Sequence, residues 1–331
     1  MAASRNSRST DPVAQAVAAC LSRHATPGDS FVVGFSGGLD STVLLHAAAG
    51  ECRARGDALS AIHVHHGLSS RADDWQAHCA KVCAALDISL SVARVRVPSA
   101  TGEGIEGAAR RSRHAALARH PATWILLAHH ADDQAETLLH NLLRGAGVRG
   151  AGAMPEVRGR LLRPLLDLGR KDLEAYARRN DLRWIEDDSN RDRRFTRNYL
   201  RHEVLAGLAT RFPAAGSQLA AAAARFREAD ALLDELARED LAGADPAFPI
   251  PVSCLRALSV PRARNLLRAL LSWSGLQPPT EARLGEFLRQ LRTAGRDRHP
   301  RLELPQYSLT VARGKVGLTR KTADASRFPA D

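Results

Sequence analysis

Short apolar runs alternate with longer segments of helical periodicity along the first half of the chain. A compact apolar run bounded by turn residues indicates a buried strand, and apolar positions at helical spacing indicate a helix. The predicted strands are Ser30–Phe35, Ala58–His65, Ser89–Val97 and Thr123–Ala128. The predicted helices that follow them are Ser41–Ala49, Asp73–Leu86, Gly104–Leu117 and Asp132–Arg144. Strands that alternate with helices in this way predict an α/β, Rossmann-type domain with a parallel sheet.

The second half of the chain, after a glycine-rich break at Arg144–Gly152, is mostly helical in pattern. Its predicted helices are Lys171–Leu182, Phe195–Leu208, a long Ala-rich stretch at Pro213–Leu241, Pro261–Ser274 and Thr280–Thr293. Pro and Gly concentrate at Gly243–Pro251, which marks a boundary, and two strand-like runs lie within Leu302–Thr319. The predicted parts are an N-terminal extension with a first helix (residues 1–24), the α/β domain (25–212), a helical linker (213–242) and a small α+β C-terminal domain (243–331).

The chain carries a large positive charge. Its 47 basic and 36 acidic residues give a net charge of +11, and the sequence pI is about 10.3. Arg pairs with phosphate through two parallel hydrogen bonds, so this balance suits a polyanionic partner. A genome rich in G and C, which encodes Arg in place of Lys, explains the same excess without any partner.

Cysteine usage and hydropathy predict a cytoplasmic protein. The five cysteines are scattered and odd in number, which argues against a disulfide framework. Cys79 and Cys83 do not form a CxxC pair, so two buried helical thiols are favoured over a zinc site. No run approaches the roughly 20 apolar residues that span a bilayer. The polar segment before Asp11 also lacks the apolar core of a signal peptide.

A glycine-rich loop, Ser36-Gly37-Gly38-Leu39-Asp40-Ser41, lies between the first predicted strand and its helix. Glycines let the backbone approach an anion, and the N–H groups at the helix start can then hold phosphate, assisted by the hydroxyls of Ser36 and Ser41. The loop lacks the Lys of a Walker A motif and the spacing of a dinucleotide-binding turn. Asp40 would repel phosphate unless a cation lies between them, so the loop suggests Mg²⁺-ATP. A plain β–α turn, whose Asp and Ser cap the helix, is the alternative.

Histidines and carboxylates follow the fourth predicted strand, in the run from His129 to Glu136. On a helix, Asp132 and Asp133 both lie beside Glu136, at spacings of four and three residues. Such carboxylates could hold Mg²⁺, or the acids could simply complement the helix dipole. His129 or His130 could orient a phosphate or take a proton from an amine, and the pattern does not distinguish the two.

Three loops are predicted to meet at one edge of the sheet. In parallel sheets, ligands bind at the carboxyl ends of the strands. The glycine-rich loop, His63–Gly67 after the second strand and His129–Asp133 after the fourth should therefore line one crevice. His63 could lie on the adenine side of this crevice, or these histidines could be ordinary polar residues at a strand end.

Two segments concentrate arginine. The helix Gly104–Leu117 carries Arg110 and Arg113 on one face, where they could stabilise a transferring phosphoryl group or form a solvated surface. The run Glu186–Arg201 mixes arginines with one Phe and one Tyr, which could serve phosphate contact and base stacking. The same run could be an amphipathic helix with its aromatic residues in the core.

Several segments coincide with one family. They are the glycine-rich loop, Ala128–Thr137 with Arg144-Gly145-Ala146-Gly147, and Glu186-Asp187-Asp188-Ser189-Asn190 with the Arg197-Asn198 and Leu200-Arg201 pairs. His63–Leu68 and Arg163-Pro164-Leu165 fit as well. Together they resemble the tRNA(Ile)-lysidine synthase family, a branch of the N-type ATP pyrophosphatases that carry a PP-loop. The resemblance covers residues 31–208 closely and the C-terminal part loosely.

The resemblance implies an adenine nucleotide α-hydrolase-like catalytic domain, a C-terminal domain that binds tRNA, and a homodimer. In this family, ATP adenylates C2 of the wobble cytidine of tRNA(Ile) with the CAU anticodon. The ε-amine of free lysine then attacks C2 and displaces AMP, which gives lysidine.

The resemblance also assigns residues by position. For nucleotide binding it implies Ser36, Gly37, Gly38, Leu39, Asp40, Ser41 and His63, with Mg²⁺ on Asp40 and Asp133. For catalysis it implies Asp40, Arg110, His129, Asp133 and Glu136. For tRNA binding it implies Arg113, Arg144, Arg194, Arg197, Asn198 and Arg201.

The sequence departs from the family at His114, where an aromatic residue is common, and at Leu205-Ala206-Gly207, where Leu-Pro is common. We also expect only the first C-terminal domain of longer members within these 331 residues. Rival interpretations are a tRNA thiolase, which would want a CxxC pair, and an amidating synthetase, which would bring a glutaminase domain. A non-catalytic RNA-binding protein on a decayed nucleotide fold is a further alternative, and the intact acids Asp40, Asp133 and Glu136 argue against it.

Overall fold

The computed structural model describes residues 11–67, 69, 71–96, 104–186, 196–293 and 299–321. The chain divides into two compact units, residues 1–227 and 228–331. Each unit has a sheet and a hydrophobic core of its own.

The first unit is a layered α/β structure. Its helices are α1 Pro12–His24, α2 Leu39–Arg55, α3 Ala72–Ala85, α4 Gly104–Ala118, α5 Ala131–Leu143, α6 Val148–Ala151, α7 Arg170–Arg179, α8 Thr196–Tyr199 and α9 Ala206–Arg211. Its strands are β1 Ser30–Gly34, β2 Ala58–His65, β3 Ser89–Arg94, β4 Trp124–Leu126, β5 Val157–Arg158 and β6 Leu161–Leu162. They form one sheet in the order β3-β2-β1-β4-β6-β5. Every neighbouring pair is parallel except the β5–β6 hairpin, which confirms the predicted fold class.

The apolar sequence of β1 explains its central place in the sheet. Phe31, Val32 and Val33 are buried, and β1 pairs with β2 on one side and β4 on the other. Ten of the 17 residues of α2 are buried, because this helix packs against the sheet and against α1 and α7. Since packing fixes both β1 and α2, the loop that joins them is held by rigid elements.

Three features of this unit differ from the predicted elements. The apolar pattern does not predict the β5–β6 hairpin, because strands of two residues are too short to show alternation. The short helix α6 lies within the predicted glycine-rich break. The helix predicted at Phe195–Leu208 is interrupted, since a π-helical segment, Leu200–Leu205, separates α8 from α9. Such π-helical turns are rare and often mark functional sites. Phe195 itself lies outside the described residues.

The second unit is a small α+β structure, as predicted. Helix α10, Ala215–Asp240, extends across the division between the two units. The elements after it are β7 Ile250–Pro251, α11 Val252–Ala257, α12 Val260–Trp273, α13 Glu281–Thr293, β8 Arg301–Glu303, β9 Tyr307–Ala312 and β10 Lys315–Arg320. The sheet is antiparallel, in the order β7-β10-β9-β8, and the apolar faces of α12 and α13 lie in the core of this unit. Among the helices that the structure describes, none is long and apolar enough to cross a membrane.

Candidate active site

The turn between β1 and α2 has the geometry of an anion-binding loop. Gly37 takes a φ of +85°, a left-handed conformation that favours glycine. Helix α2 begins at Leu39, and Gly38 at its N-cap has no side chain to hydrogen-bond the first N–H groups. These groups can therefore receive an anion at the positive end of the helix dipole. The space beside Gly37 is tight, because a Cβ atom there would lie 3.0 Å from Sγ of Cys79.

Hydroxyl groups hold this loop in shape. Ser41 Oγ accepts a hydrogen bond from the backbone N–H of Ser36 at 3.2 Å and lies 3.0 Å from Ser36 Oγ. The hydroxyls of Ser41 and Thr42 donate to the carbonyl of Gly38 at 3.1 and 2.9 Å. The loop is thus preorganised before any ligand binds, and the phosphate contacts of Ser36 and Ser41 stay predictions.

The carboxylate of Asp40 faces the start of α5. Its Oδ2 lies 3.6 Å from Nε2 of His130, and its Oδ1 is buried with no hydrogen-bond partner in the part of the chain that the structure describes. Burial alone raises the pKa of Asp40, but the positive charge of His130, aided by Arg170 and Arg201, holds it below its usual value. A charged carboxylate with one open oxygen is a suitable cation ligand.

His130 joins this carboxylate to two others. The side chain is 1% exposed and belongs to the N-cap residue of α5. Its Nδ1 lies 3.3 Å from Oδ2 of Asp132, and its Nε2 lies 3.7 Å from Oδ2 of Asp133. Burial lowers the pKa of His130, but the close carboxylates of Asp132, Asp40 and Asp133 outweigh it and raise the pKa to about 10. The ring is therefore an imidazolium surrounded by three carboxylates.

One contact of the same ring belongs to its neutral form. Nδ1 also lies 3.3 Å from the backbone nitrogen of Asp132, where only a deprotonated Nδ1 could accept a hydrogen bond. A neutral ring would leave three buried or half-buried carboxylates without a cation, so the charged form dominates. In either form of the ring the backbone N–H of His130 donates to Asp133 Oδ2 at 3.0 Å, which keeps one of the two hydrogen bonds of the capping box.

His129 has the opposite environment from its neighbour. Its Nδ1 is buried and has no hydrogen-bond partner among the described residues. Burial lowers the pKa of His129 to about 3, and the charges of Arg163, Arg113 and Arg110 act in the same direction. Asp133 opposes this shift without cancelling it. His129 is therefore a neutral imidazole beside arginines, and it can accept a hydrogen bond but is a poor proton acceptor.

Arg201 closes the other side of the acid cluster. It lies in the π-helical segment, where its Nη2 donates to Oδ1 of Asp133 at 3.1 Å and its Nε donates to Oε1 of Glu136. Glu136 is 2% exposed, and burial raises its pKa although Arg201 opposes the shift. An arginine predicted to contact tRNA thus neutralises two acids predicted to act in catalysis.

His63 lies behind the phosphate loop. The side chain is buried, and its Nδ1–H donates to the carbonyl of Phe35 at 3.0 Å, directly after β1. Sγ of Cys79 lies 3.5 Å from the same nitrogen. One edge of the ring is therefore hydrogen-bonded to the backbone that leads into the loop. The adenine contact of His63 stays a prediction.

The described basic residues predicted for phosphate and tRNA contacts lie on α4, at the C-terminal end of α5, on α8 and, for Arg201, in the π-helical segment. Burial and the nearby charge of Arg197 lower the pKa of Arg113, while Asp133 raises it, so these three side chains are neighbours. The other positions are Arg110, half-buried on α4, Arg144, exposed at the C-terminal end of α5, and Asn198, half-buried on α8. Arg194 lies outside the described residues.

Asp40 and Asp133 are the residues that could hold a metal ion. Within the described ranges, no group of three or more His, Cys, Asp or Glu side chains forms a ready-made metal site. Mg²⁺ does not need one, because it binds one or two carboxylates together with phosphate oxygens. The open Oδ1 of Asp40 beside the phosphate loop fits that requirement. Asp133 could add a second carboxylate once Arg201 leaves its Oδ1.

Two residues at this edge of the sheet contribute more to the site than the sequence predicts. His130 carries the positive charge that holds the carboxylates together. In the sequence, its place at the N-cap of α5 is the one local feature that distinguishes it from His129. Arg163, named from the sequence only within a family motif, is 4% exposed and close enough to shift the pKa of His129. An arginine directly after a buried strand is a signal for such a residue, but β6 is too short to be recognised as a strand.

Both units of the chain match known protein families. Residues 10–208 match a PP-loop domain family, and residues 251–316 match the TilS substrate binding domain family. A U34-tRNA thiolase, NcsA from Methanococcus maripaludis, superposes with a TM-score of 0.55 at 16% identity, over 65% of this chain and 78% of that one. At this identity the likeness shows a shared fold.

Curated relatives extend along most of the chain. The tRNA(Ile)-lysidine synthase of Alkalilimnicola ehrlichii is 48% identical over 305 residues, which are 89% of this chain and 68% of that protein. The synthase of Ralstonia nicotianae is 48% identical over 316 residues, or 92% of this chain and 68% of that protein. The synthase of Pseudomonas aeruginosa is 48% identical over 302 residues, or 86% and 67%.

Proposed function

The chain belongs to the tRNA(Ile)-lysidine synthase family, and we propose that its substrate is the tRNA(Ile) whose anticodon is CAU. The protein is an ATP-dependent ligase that forms a C–N bond. In the first step C2 of the wobble cytidine is adenylated, and pyrophosphate leaves. In the second step the ε-amine of free lysine attacks C2, AMP leaves, and lysidine is formed.

The observation that supports this proposal is the acid cluster beside the phosphate loop. β1 and β4 are adjacent and parallel, so the loops at their carboxyl ends meet. Asp40 comes from the first loop, and Asp133 comes from the second. His130 holds the two carboxylates together, with its Nε2 within 3.7 Å of both. Such a cluster lies where a nucleotide and an incoming amine would have to meet.

The nucleotide phosphates are assigned to the backbone of Gly37, Gly38 and Leu39 at the start of α2. Asp40 and Asp133 would hold Mg²⁺, which when bound neutralises phosphate charge and favours departure of pyrophosphate. Arg110, half-buried on α4, is assigned to the charge that develops at the α-phosphate. His129, neutral and next to these groups, can accept a hydrogen bond in the same region.

Glu136 is assigned to the lysine amine. A lysine ε-amine is protonated in water and must lose a proton before it can attack carbon. Burial raises the pKa of Glu136, which makes it a better proton acceptor than an exposed carboxylate. Arg201 pairs with this carboxylate in the structure, so the amine has to replace the guanidinium.

The tRNA is assigned to the basic face of the first unit and to the second unit. Arg113 and Arg197 are neighbours on α4 and α8, and the remaining predicted contacts are Arg144, Arg194, Asn198 and Arg201. The net charge of +11 supports association with an RNA backbone. A cytoplasmic location, where tRNA is found, and a homodimer are part of the proposal.

Pyrophosphate release tests this proposal against its rivals. With Mg²⁺-ATP and the CAU-anticodon tRNA, but no lysine, the protein should release pyrophosphate, and it should release none without tRNA. A thiolase or amidating synthetase would not be activated by this tRNA, and an RNA-binding protein without catalytic activity would bind it and release nothing. Absence of pyrophosphate release with this tRNA, or release that does not depend on it, would contradict the proposed function.

A further inference from the structure

Arg163 is a buried arginine at the carboxyl end of β6. Its side chain is 4% exposed, and its Nη1 donates to the carbonyl of Pro155 at 2.8 Å. Its Nε is also buried and has no hydrogen-bond partner among the described residues. A guanidinium offers five N–H donors, and among the described residues only one acceptor, the carbonyl of Pro155, uses them.

The charge of Arg163 is not balanced by the residues that the structure describes. No carboxylate lies within ion-pair distance of it in those ranges, whereas Arg201 is paired with Asp133 and Glu136. Burial, reinforced by Arg158, lowers the pKa of Arg163 to about 10, so the side chain still carries its charge at neutral pH. Buried charges in proteins are normally paired, because the loss of hydration is otherwise costly. The missing anion points to a ligand.

The sheet order places Arg163 relative to the rest of the site. β6 is parallel to β4, with the N–H of Leu127 donating to the carbonyl of Leu162 at 2.9 Å, and β4 is parallel to β1. Neighbouring strands lie about 4.8 Å apart, so the end of β6 is roughly 10 Å from the end of β1. The phosphate loop, the acid cluster and Arg163 therefore follow one another along a single edge of the sheet. Besides burial, the charge of Arg163 lowers the pKa of His129 and His114, so its guanidinium is close to both rings.

From this order we infer that Arg163 binds the α-carboxylate of the amino-acid substrate, an inference that rests on the proposed function. Lysine carries its reacting amine and its carboxylate at opposite ends of a chain of four methylene groups. We place the amine at Glu136, on the helix after β4, and the carboxylate on the side away from the phosphate loop, where Arg163 is a buried cation. An Arg fork matches a carboxylate through two hydrogen bonds. The phosphates have their own loop, and an RNA backbone is too bulky to reach a side chain that is 4% exposed.

The test compares L-lysine with L-lysinamide, which keeps both amines but has a neutral amide in place of the carboxylate. The wild-type protein should show a KM for L-lysine about 10- to 100-fold lower than for L-lysinamide, as expected for a buried charged hydrogen bond. Arg163→Gln should raise the KM for L-lysine by the same factor and leave the KM for L-lysinamide within about threefold. Arg163→Lys, which keeps the charge without the fork, should give an intermediate rise. Arg160→Gln is the matched control, since Arg160 is exposed in the same hairpin and donates to the carbonyl of His120 at 2.7 Å.

Pyrophosphate release without lysine separates this role from a structural one. Its rate and the KM for ATP should stay within about threefold of the wild-type values in Arg163→Lys and in Arg163→Gln. Equal KM values of the wild-type protein for the two amines would overturn the inference without any variant. A rise in the KM for ATP in the Arg163 variants would also overturn it. The same holds for an equal rise in the KM for L-lysine and for L-lysinamide in these variants. If the wild-type protein transfers no lysine at all, the proposed function fails as well, whereas transfer without discrimination removes only the role of Arg163.

Discussion

The Nε–H of Arg201 donates a hydrogen bond to the carboxylate of Glu136, a side chain that is 2% exposed. The same guanidinium reaches Asp133 through Nη2 at 3.1 Å. A metal ion at Asp133 and an amine at Glu136 must therefore each compete with Arg201. Because Arg201 lies in the π-helical segment directly after α8, which carries Arg197 and Asn198, this contact links the acid cluster to residues assigned to tRNA.

Arg197 and Arg201 should differ in their effect on tRNA binding. The charge of Arg201 is balanced by two carboxylates, whereas Arg197 has no ion pair among the described residues. Arg197→Gln should lower the slope of log affinity against log salt by about one unit, and Arg201→Gln should leave it nearly unchanged. Titrations of tRNA at several salt concentrations measure both slopes. Equal losses in the two variants would show that Arg201 leaves its carboxylates when tRNA binds.

Asp40 should be essential for adenylation and dispensable for tRNA binding. Asp40→Asn removes the charge beside the phosphate loop while it keeps the size of the side chain, and the tRNA-dependent release of pyrophosphate should fall at least about 100-fold. The affinity for tRNA should stay close to the wild-type value. Asp74→Asn, an exposed position on α3, is the control and should behave like the wild-type protein. Normal pyrophosphate release by Asp40→Asn would exclude a metal role for this carboxylate.

The two adjacent histidines should contribute unequally to stability. His130→Gln leaves Asp40, Asp132 and Asp133 without their central cation, so the free energy of unfolding should fall by about 2–4 kcal/mol. His129→Gln replaces a ring that is already neutral, and the loss should be about 1 kcal/mol or less. Urea denaturation of both variants, without added metal, measures the difference. Similar midpoints would mean that His130 is not charged in the folded protein.

The phosphate loop should not tolerate a side chain at Gly37. Gly37→Ala places a Cβ atom at a φ of +85° and 3.0 Å from Sγ of Cys79. The left-handed conformation alone costs about 1–2 kcal/mol, and the displaced loop should raise the KM for ATP. Gly50→Ala is the matched control, because Gly50 lies in α2 with nothing within 4 Å of the added atom. That change should be neutral or stabilising by up to about 1 kcal/mol. Equal KM values in the two variants would contradict the role of the loop.

The central strands could be predicted closely from the sequence, and the edge of the sheet formed by β6 and β5 could not. β1 and β2 are apolar runs whose ends are set by Gly and His residues, so their predicted limits differ from the observed ones by at most one residue. β5 and β6 have two residues each, and they are strands only because β6 pairs with β4 and β5 pairs with β6. Because β6 could not be recognised as a strand, the sequence did not predict that Arg163, which follows it, lies at the crevice.

The acids of the site could be predicted from their residue types and spacing, but their partners could not. His129 and His130 are identical in type and adjacent in sequence, yet one is neutral among arginines and the other is charged among carboxylates. That difference depends on which ring faces α2 across the sheet edge, which is a tertiary property. The pairing of Arg201 with Glu136 joins residues 65 positions apart, and no local pattern encodes it.

Transfer of labelled lysine to tRNA(Ile) reports on both steps of the proposed reaction. The protein is incubated with Mg²⁺-ATP, labelled L-lysine and the CAU-anticodon tRNA(Ile), and the label in the recovered tRNA is measured. We predict incorporation with the natural wobble cytidine and none when that nucleotide is replaced by uridine. If the natural tRNA carries no label, or if both tRNAs are labelled equally, the protein does not form lysidine at the wobble cytidine.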